Sequence, residues 1–307
     1  MAGPAFILAF VILSAFRDVF FAGVLKSAPF FALTFILFAT CTAAFLIVAL
    51  IEKQRTLRVV FADLRAFALM NLFTACAWLS YFQSLRFLEP AISNVLHAGT
   101  GPLTLLAMGA IGWHIVNAGR MTRFEAICQG AMALCLVALI ATALAGLSAG
   151  AGGISALIGV VLVCFSGVCI TIATLYSKRL HDAGASAAAV VATRFLGVLL
   201  TCIAALSLGA PDARTAATSP ATWIAFAPAA FLLMAVPIYL SQIGVKLANP
   251  LTVRVILALG PVFLIALQAP VGGLALSGYS LAGILAYSAI AIVAAVARLA
   301  EMRRVPA

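Results

Sequence analysis

The chain has 307 residues, 65% of them hydrophobic and 8% charged, with a mean hydropathy of +1.23. An ordinary soluble domain carries about 25% charged residues, so this composition excludes a water-soluble globular fold. The net charge of +10 comes largely from connections between apolar runs, where Lys and Arg anchor helices at an anionic leaflet, and it does not imply nucleic acid.

Apolar runs of 18 or more residues read as transmembrane helices. In chain order they cover 4–25, 29–51, 66–87, 91–114, 124–147, 153–177, 184–208, 222–245, 250–269 and 276–298. That predicts an all-α integral membrane protein of ten transmembrane helices. The longest connections, near 52–65 and 209–221, are too short for a soluble domain. The first run lacks the basic segment of a secretory signal and resumes after Asp18, so it is expected to be a retained first helix.

Basic residues set the orientation. With the N-terminus in the cytoplasm, the inside connections and tail carry Lys53, Arg55, Arg58, Arg65, Arg120, Arg123, Lys178, Arg179, Lys246, Arg298, Arg303 and Arg304. The outside carries Lys26, Arg86 and Arg214, while Arg17, Arg194 and Arg254 fall inside spans. Both termini are therefore expected in the cytoplasm.

One pattern occurs twice. Tyr81 to Pro90 reads YFQSLRFLEP and Ser241 to Pro250 reads SQIGVKLANP, each followed by a Gly-Pro step, Gly101-Pro102 and Gly260-Pro261. A half-length repeat of an odd number of helices inverts the second half relative to the first. The expected architecture is thus two inverted five-helix repeats, 1–148 and 149–307, joined through the Gly-rich stretch Gly146–Gly153.

These features resemble the drug/metabolite transporter superfamily and, within it, the EamA family. The residues carrying the likeness are WLSYFQSLRFLEPAISNVL (Trp78 to Leu96) with Gly101-Pro102, and VKLANPLTVRVILALGP (Val245 to Pro261). The resemblance covers nearly the whole chain. It implies a bacterial inner-membrane carrier, often an exporter of amino acids and other small metabolites. The chain departs from many members at Ser14 to Asp18, where they carry a Trp with small polar residues.

Charged groups inside a bilayer are expensive and usually face a cavity or a partner. Arg17 and Asp18 lie past the middle of the first span and Arg194 near the middle of the seventh. Neighbours on a helix point about 100° apart, so the two are not expected to neutralise each other. Three readings stand. Asp18 pairs with Arg194 or another cation as a tie between halves, or Arg17 anchors a substrate carboxylate while Asp18 takes its ammonium, or, with the first helix shifted, the charges snorkel to lipid headgroups.

The fourth span puts Asn94, His97, Gly101 and Thr104 on one face. His97 reads as an interhelical hydrogen-bonder or as a proton carrier. The third aligns Asn71, Thr74, Trp78 and Tyr81, and the eighth aligns Tyr239 and Gln242. Trp78 lies deep enough for a cavity wall. Gly101, Pro102, Gly260 and Pro261 are candidate hinges, because proline removes a backbone donor and kinks a helix.

The seven cysteines lie inside spans with no C-x-x-C pair, and they read as packing residues. No Walker A sequence, nucleophile elbow or H-E-x-x-H occurs. No cofactor or metal is expected, and an enzyme is not indicated. The expected function is secondary transport of a small metabolite, foremost an amino acid or related zwitterion. Alternative cargoes are a vitamin, a purine, an amino-acid-derived metal chelator or a cationic drug, and the non-transport alternative is a membrane assembly protein. A monomer is expected in the lipid bilayer, since two halves complete the symmetric unit.

Overall fold

The computed structural model describes residues 2–27, 29–52, 55–117, 121–148, 152–209, 219–271 and 277–304. Lys53, Arg120, Arg214 and the centre of the Gly146–Gly153 join lie outside them. Among the described residues every regular element is helical. Helices α1 (Ala2–Ser27), α2 (Phe30–Ile51), α3 (Arg55–Ala62), α4 (Leu64–Ser84), α5 (Pro90–Ala110) and α6 (Arg123–Leu144) come first. They are followed by α7 (Gly153–Asp182), α8 (Ala187–Arg194), α9 (Leu196–Leu208) and α10 (Pro220–Ala230). A π-helical turn (Phe231–Ala235) leads into α11 (Val236–Leu247), and α12 (Pro250–Leu257), α13 (Gly260–Val271) and α14 (Gly278–Arg304) complete the chain.

Among the described residues, eight helical segments are long and apolar enough to cross a membrane, by length and composition, or nine if α3 and α4, bent by 90° at Asp63, count as one. Helix α5 is not among them. Its Ser93, Asn94, His97, Thr100 and Thr104 lower its apolarity, and Ser93 and Thr104 are buried. The distribution of polarity is that of a multi-pass membrane protein. Large apolar side chains such as Ile51, Ile127, Leu134, Ile154 and Ile224 are exposed, whereas Arg17, Asp18, Arg194, Arg254 and Gln242 are buried. Water would favour the reverse, and lipid favours this arrangement.

The helices interrupt where their sequences require it. Pro261 cannot donate to Leu257, and the helix breaks at Ala258-Leu259 between α12 and α13. The ring of Pro237 would clash with the Leu233 carbonyl, and the backbone widens into the π turn just before it. Pro102, by contrast, sits inside an unbroken α5.

Packing joins the first part of the chain to the second. Helix α4 packs chiefly on α7, α1 on α11 and α13, α2 on α8 and α9, and α6 on α14. Arg298, expected on a cytoplasmic connection, is instead buried between α6, α12 and α14. It pairs with Glu125 at 3.4 Å and donates to Thr252 Oγ1 at 3.0 Å and Asn249 Oδ1 at 3.3 Å. Its aliphatic stem suits it to such a site.

Candidate functional site

Where α1, α4, α5, α7, α8, α11 and α12 converge, a cavity of about 100 Å³ opens. It has room for a few water molecules or part of a compact solute. Its polar lining comprises Ser14, Arg17, Trp78, Tyr81, Asn94, His97, Thr174, Arg194, Ser241, Gln242 and Arg254. The remaining walls are mostly aliphatic, with Phe10 and Phe195.

Arg17 and Asp18 pair directly, contrary to expectation. Arg17 Nε donates to Asp18 Oδ1 at 2.8 Å, with Nη2 at 2.7 Å from the same oxygen. Divergent Cβ directions do not prevent this, because the arginine stem is long enough to curl around the helix to its neighbour. The guanidinium also lies over Trp78, 5.1 Å from the ring centroid, a cation–π contact. The other Asp18 oxygen accepts from Tyr81 Oη at 3.2 Å and Asn94 Nδ2 at 2.8 Å. Asp18 is thus saturated by α1, α4 and α5.

Arg194 is not the partner of Asp18. It donates to Thr74 Oγ1 at 3.5 Å and lies over the Phe195 ring. The break at Phe195 between α8 and α9 brings it to the cavity wall. Arg254, on α12, donates to the Ile170 carbonyl at 2.7 Å and to Thr174 Oγ1 at 2.5 Å, both on α7.

His97 is positioned by α7. Ser166 gives its single hydroxyl proton to the Ala77 carbonyl at 2.6 Å, so the 3.1 Å contact to His97 requires the Nδ1–H of His97 to donate to Ser166 Oγ. Tyr81 packs against the imidazole at 4.7 Å between centroids. The approach of α5 to α7 depends on Gly167, where an added Cβ would lie 2.7 Å from the His97 carbonyl oxygen. That small residue accommodates α5.

Six of the eight expected ligand residues are cavity-lining: Arg17, Trp78, Tyr81, Asn94, His97 and Gln242. Asp18 stands directly behind three of them. Tyr239 is a correction: it points to α2 and stacks on Phe45 at 4.7 Å. Three residues apart on α11, the two lie only about 60° apart, and the neighbouring helices divide them: Tyr239 turns to α2, while Gln242 faces α7 and meets His181 Nε2 at 3.2 Å. Of the hinge candidates only Gly260 lines the cavity, whereas Gly101, Pro102 and Pro261 do not. Gly101 instead makes room for the Arg254 stem, which an added Cβ would meet at 2.8 Å.

Arg254 is the residue that reading the sequence left unused. Its signal was present, a cation four residues inside an expected span, but nothing local connected it to Arg17. Ser241 and Thr174 were also missed, being too common in membrane helices to stand out.

No family model matches the sequence, and no curated protein matches it. A protein known from its crystal structure is similar in fold, with a TM-score of 0.67 and 17% identity over 96% of this chain and 97% of that one. Identity that low carries the fold and nothing beyond it.

Proposed function

We propose that the chain is a secondary transporter, moving a small metabolite across a bacterial-type inner membrane by alternating access. It is best understood as a carrier of the EamA family in the drug/metabolite transporter superfamily, with ten spans in two inverted five-helix repeats. The observation carrying this reading is the buried polar cavity, lined by α1, α4 and α5 from residues 1–148 and by α7, α8, α11 and α12 from 149–307. A purely structural membrane protein has no need to bury three arginines around such a space.

Two further features support it. If α1 corresponds to α7 and α4 to α11, then the α4–α7 and α1–α11 contacts are equivalent under exchange of the halves, and α6–α14 maps onto itself. Discontinuous helices α8/α9 and α12/α13 also break beside Arg194 and Gly260 at the cavity, as substrate-site helices in transporters do. Export, with both termini in the cytoplasm, is the direction the family resemblance favours. Of the expected amino-acid contacts, the carboxylate anchor at Arg17 retains its basis, whereas Asp18 already accepts three groups.

Counterflow in proteoliposomes tests the reading. Vesicles preloaded with a mixture of amino acids, organic acids and phosphate esters should accumulate at least one labelled member against empty-vesicle controls. Folded, inserted protein that accumulates none would refute carriage.

A further inference from the structure

We infer that the cavity binds a small dianionic solute, a dicarboxylate or a phosphomonoester, rather than a zwitterion. The inference rests on the carrier reading and names its cargo class.

The charge count comes first. Arg17, Arg194 and Arg254 all line the cavity, and among the described residues no Asp or Glu does. Asp18, bonded to Arg17 just behind the wall, is the single acidic residue in contact with this cluster among the described ion pairs and hydrogen bonds. Two positive charges remain. The bonds made by Arg194 and Arg254 go to hydroxyls and a backbone carbonyl, which are neutral acceptors. Unbalanced charge is costly away from water, and a solute carrying two negative charges neutralises this excess.

The unmade hydrogen bonds give an independent argument. Four polar atoms on cavity-lining residues are buried without a partner: Arg17 Nη1, Trp78 Nε1, Arg194 Nε and Asn94 Oδ1. Three of the four are donors, two of them on guanidinium groups. Donors left unsatisfied in a buried site are costly, and carboxylate or phosphate oxygens satisfy them with charge-assisted bonds. An ammonium finds no comparable reception, since both oxygens of Asp18 are engaged. The small volume restricts the solute to a compact one.

Binding and flux should be measured separately on the same purified protein. The probes are succinate, glycerol 3-phosphate, alanine and lysine, with calorimetric titration in detergent and counterflow in vesicles. At least one dianion is expected to bind about tenfold or more tighter than alanine. Comparison of succinate with glycerol 3-phosphate separates carboxylate from phosphate recognition. Arg254→Gln and Arg194→Gln should each weaken the preferred dianion roughly tenfold, with Arg194→Lys restoring part of it.

If a Gln variant does not fold, the wild-type order of affinities decides alone. Alanine or lysine binding as tightly as the better-bound dianion would overturn the inference, as would no binding by any probe. Dianion binding without flux supports the inference and refutes carriage. Alanine flux without dianion binding leaves carriage standing and removes the inference.

Discussion

Asn71 on α4 accepts a 3.0 Å hydrogen bond from the backbone N–H of Gly197, at the start of α9, through its Oδ1. A side chain from the first half of the chain thereby satisfies a donor released where a helix of the second half breaks. The break is what presents Arg194 to the cavity. Buried backbone donors away from water need partners, so this bond links helix geometry to the site.

Asn71→Leu should leave the Gly197 N–H unsatisfied and cost about 1–3 kcal/mol. Thermal unfolding in detergent measures the loss. Unaltered stability would mean that α9 obtains its partner elsewhere.

Asp18→Asn removes the countercharge of Arg17 while nearly preserving shape. Breaking a buried pair in this way costs about 3–5 kcal/mol in soluble proteins, and a loss of that order is expected here. Asp18→Asn combined with Arg17→Gln should recover much of it, because the uncompensated charge is gone. Stability of both variants in one detergent checks the coupling, and equal losses would show that the pair is not what holds α1.

The two Gly-Pro steps are expected to differ in effect. Pro261→Ala restores a donor to the Leu257 carbonyl and allows α12 and α13 to join, so turnover should fall several-fold at unchanged expression. Pro102→Ala acts on a helix that is already continuous and should change turnover less. Counterflow rates measure both, and two unchanged rates would remove the hinge role.

Asp63 caps α4, accepting from the Ala66 N–H at 2.9 Å, and pairs with Arg179 at 2.7 Å. The Ala66 bond, followed by the Arg179 side chain, holds its carboxyl below the usual aspartate range. A lowered folded-state value means that the stabilisation is present above the unfolded value and is lost as pH falls through the folded one. Asp63→Ala should therefore cost about 1 kcal/mol near neutral pH, mostly the cap, since the ion pair is substantially exposed. The difference from wild type should narrow below pH of about 3.9. A gap that does not change with pH would assign the effect to packing alone.

Much of the fold was legible in the sequence. Apolar runs placed helices close to their observed positions, because lipid demands local backbone satisfaction and continuous apolar length. Periodicity correctly grouped Asn94 with His97 and Trp78 with Tyr81, because residues three or four apart on a helix share a face whatever packs against it. The same rule placed Tyr239 with Gln242 and failed there, since α2 and α7 divide that face between them.

The amino-acid order alone determined that the chain belongs in a membrane, where its helices lie and which buried charges need explaining. It did not determine how those charges are shared. The pairing of Arg17 with Asp18 depends on how a long side chain curls, and the meeting of Arg17, Arg194 and Arg254 on the contact of three helices distant in sequence. Only the tertiary structure decided these, because helix–helix contacts bring together residues separated by 60 to 240 positions, and no local pattern encodes which faces will meet.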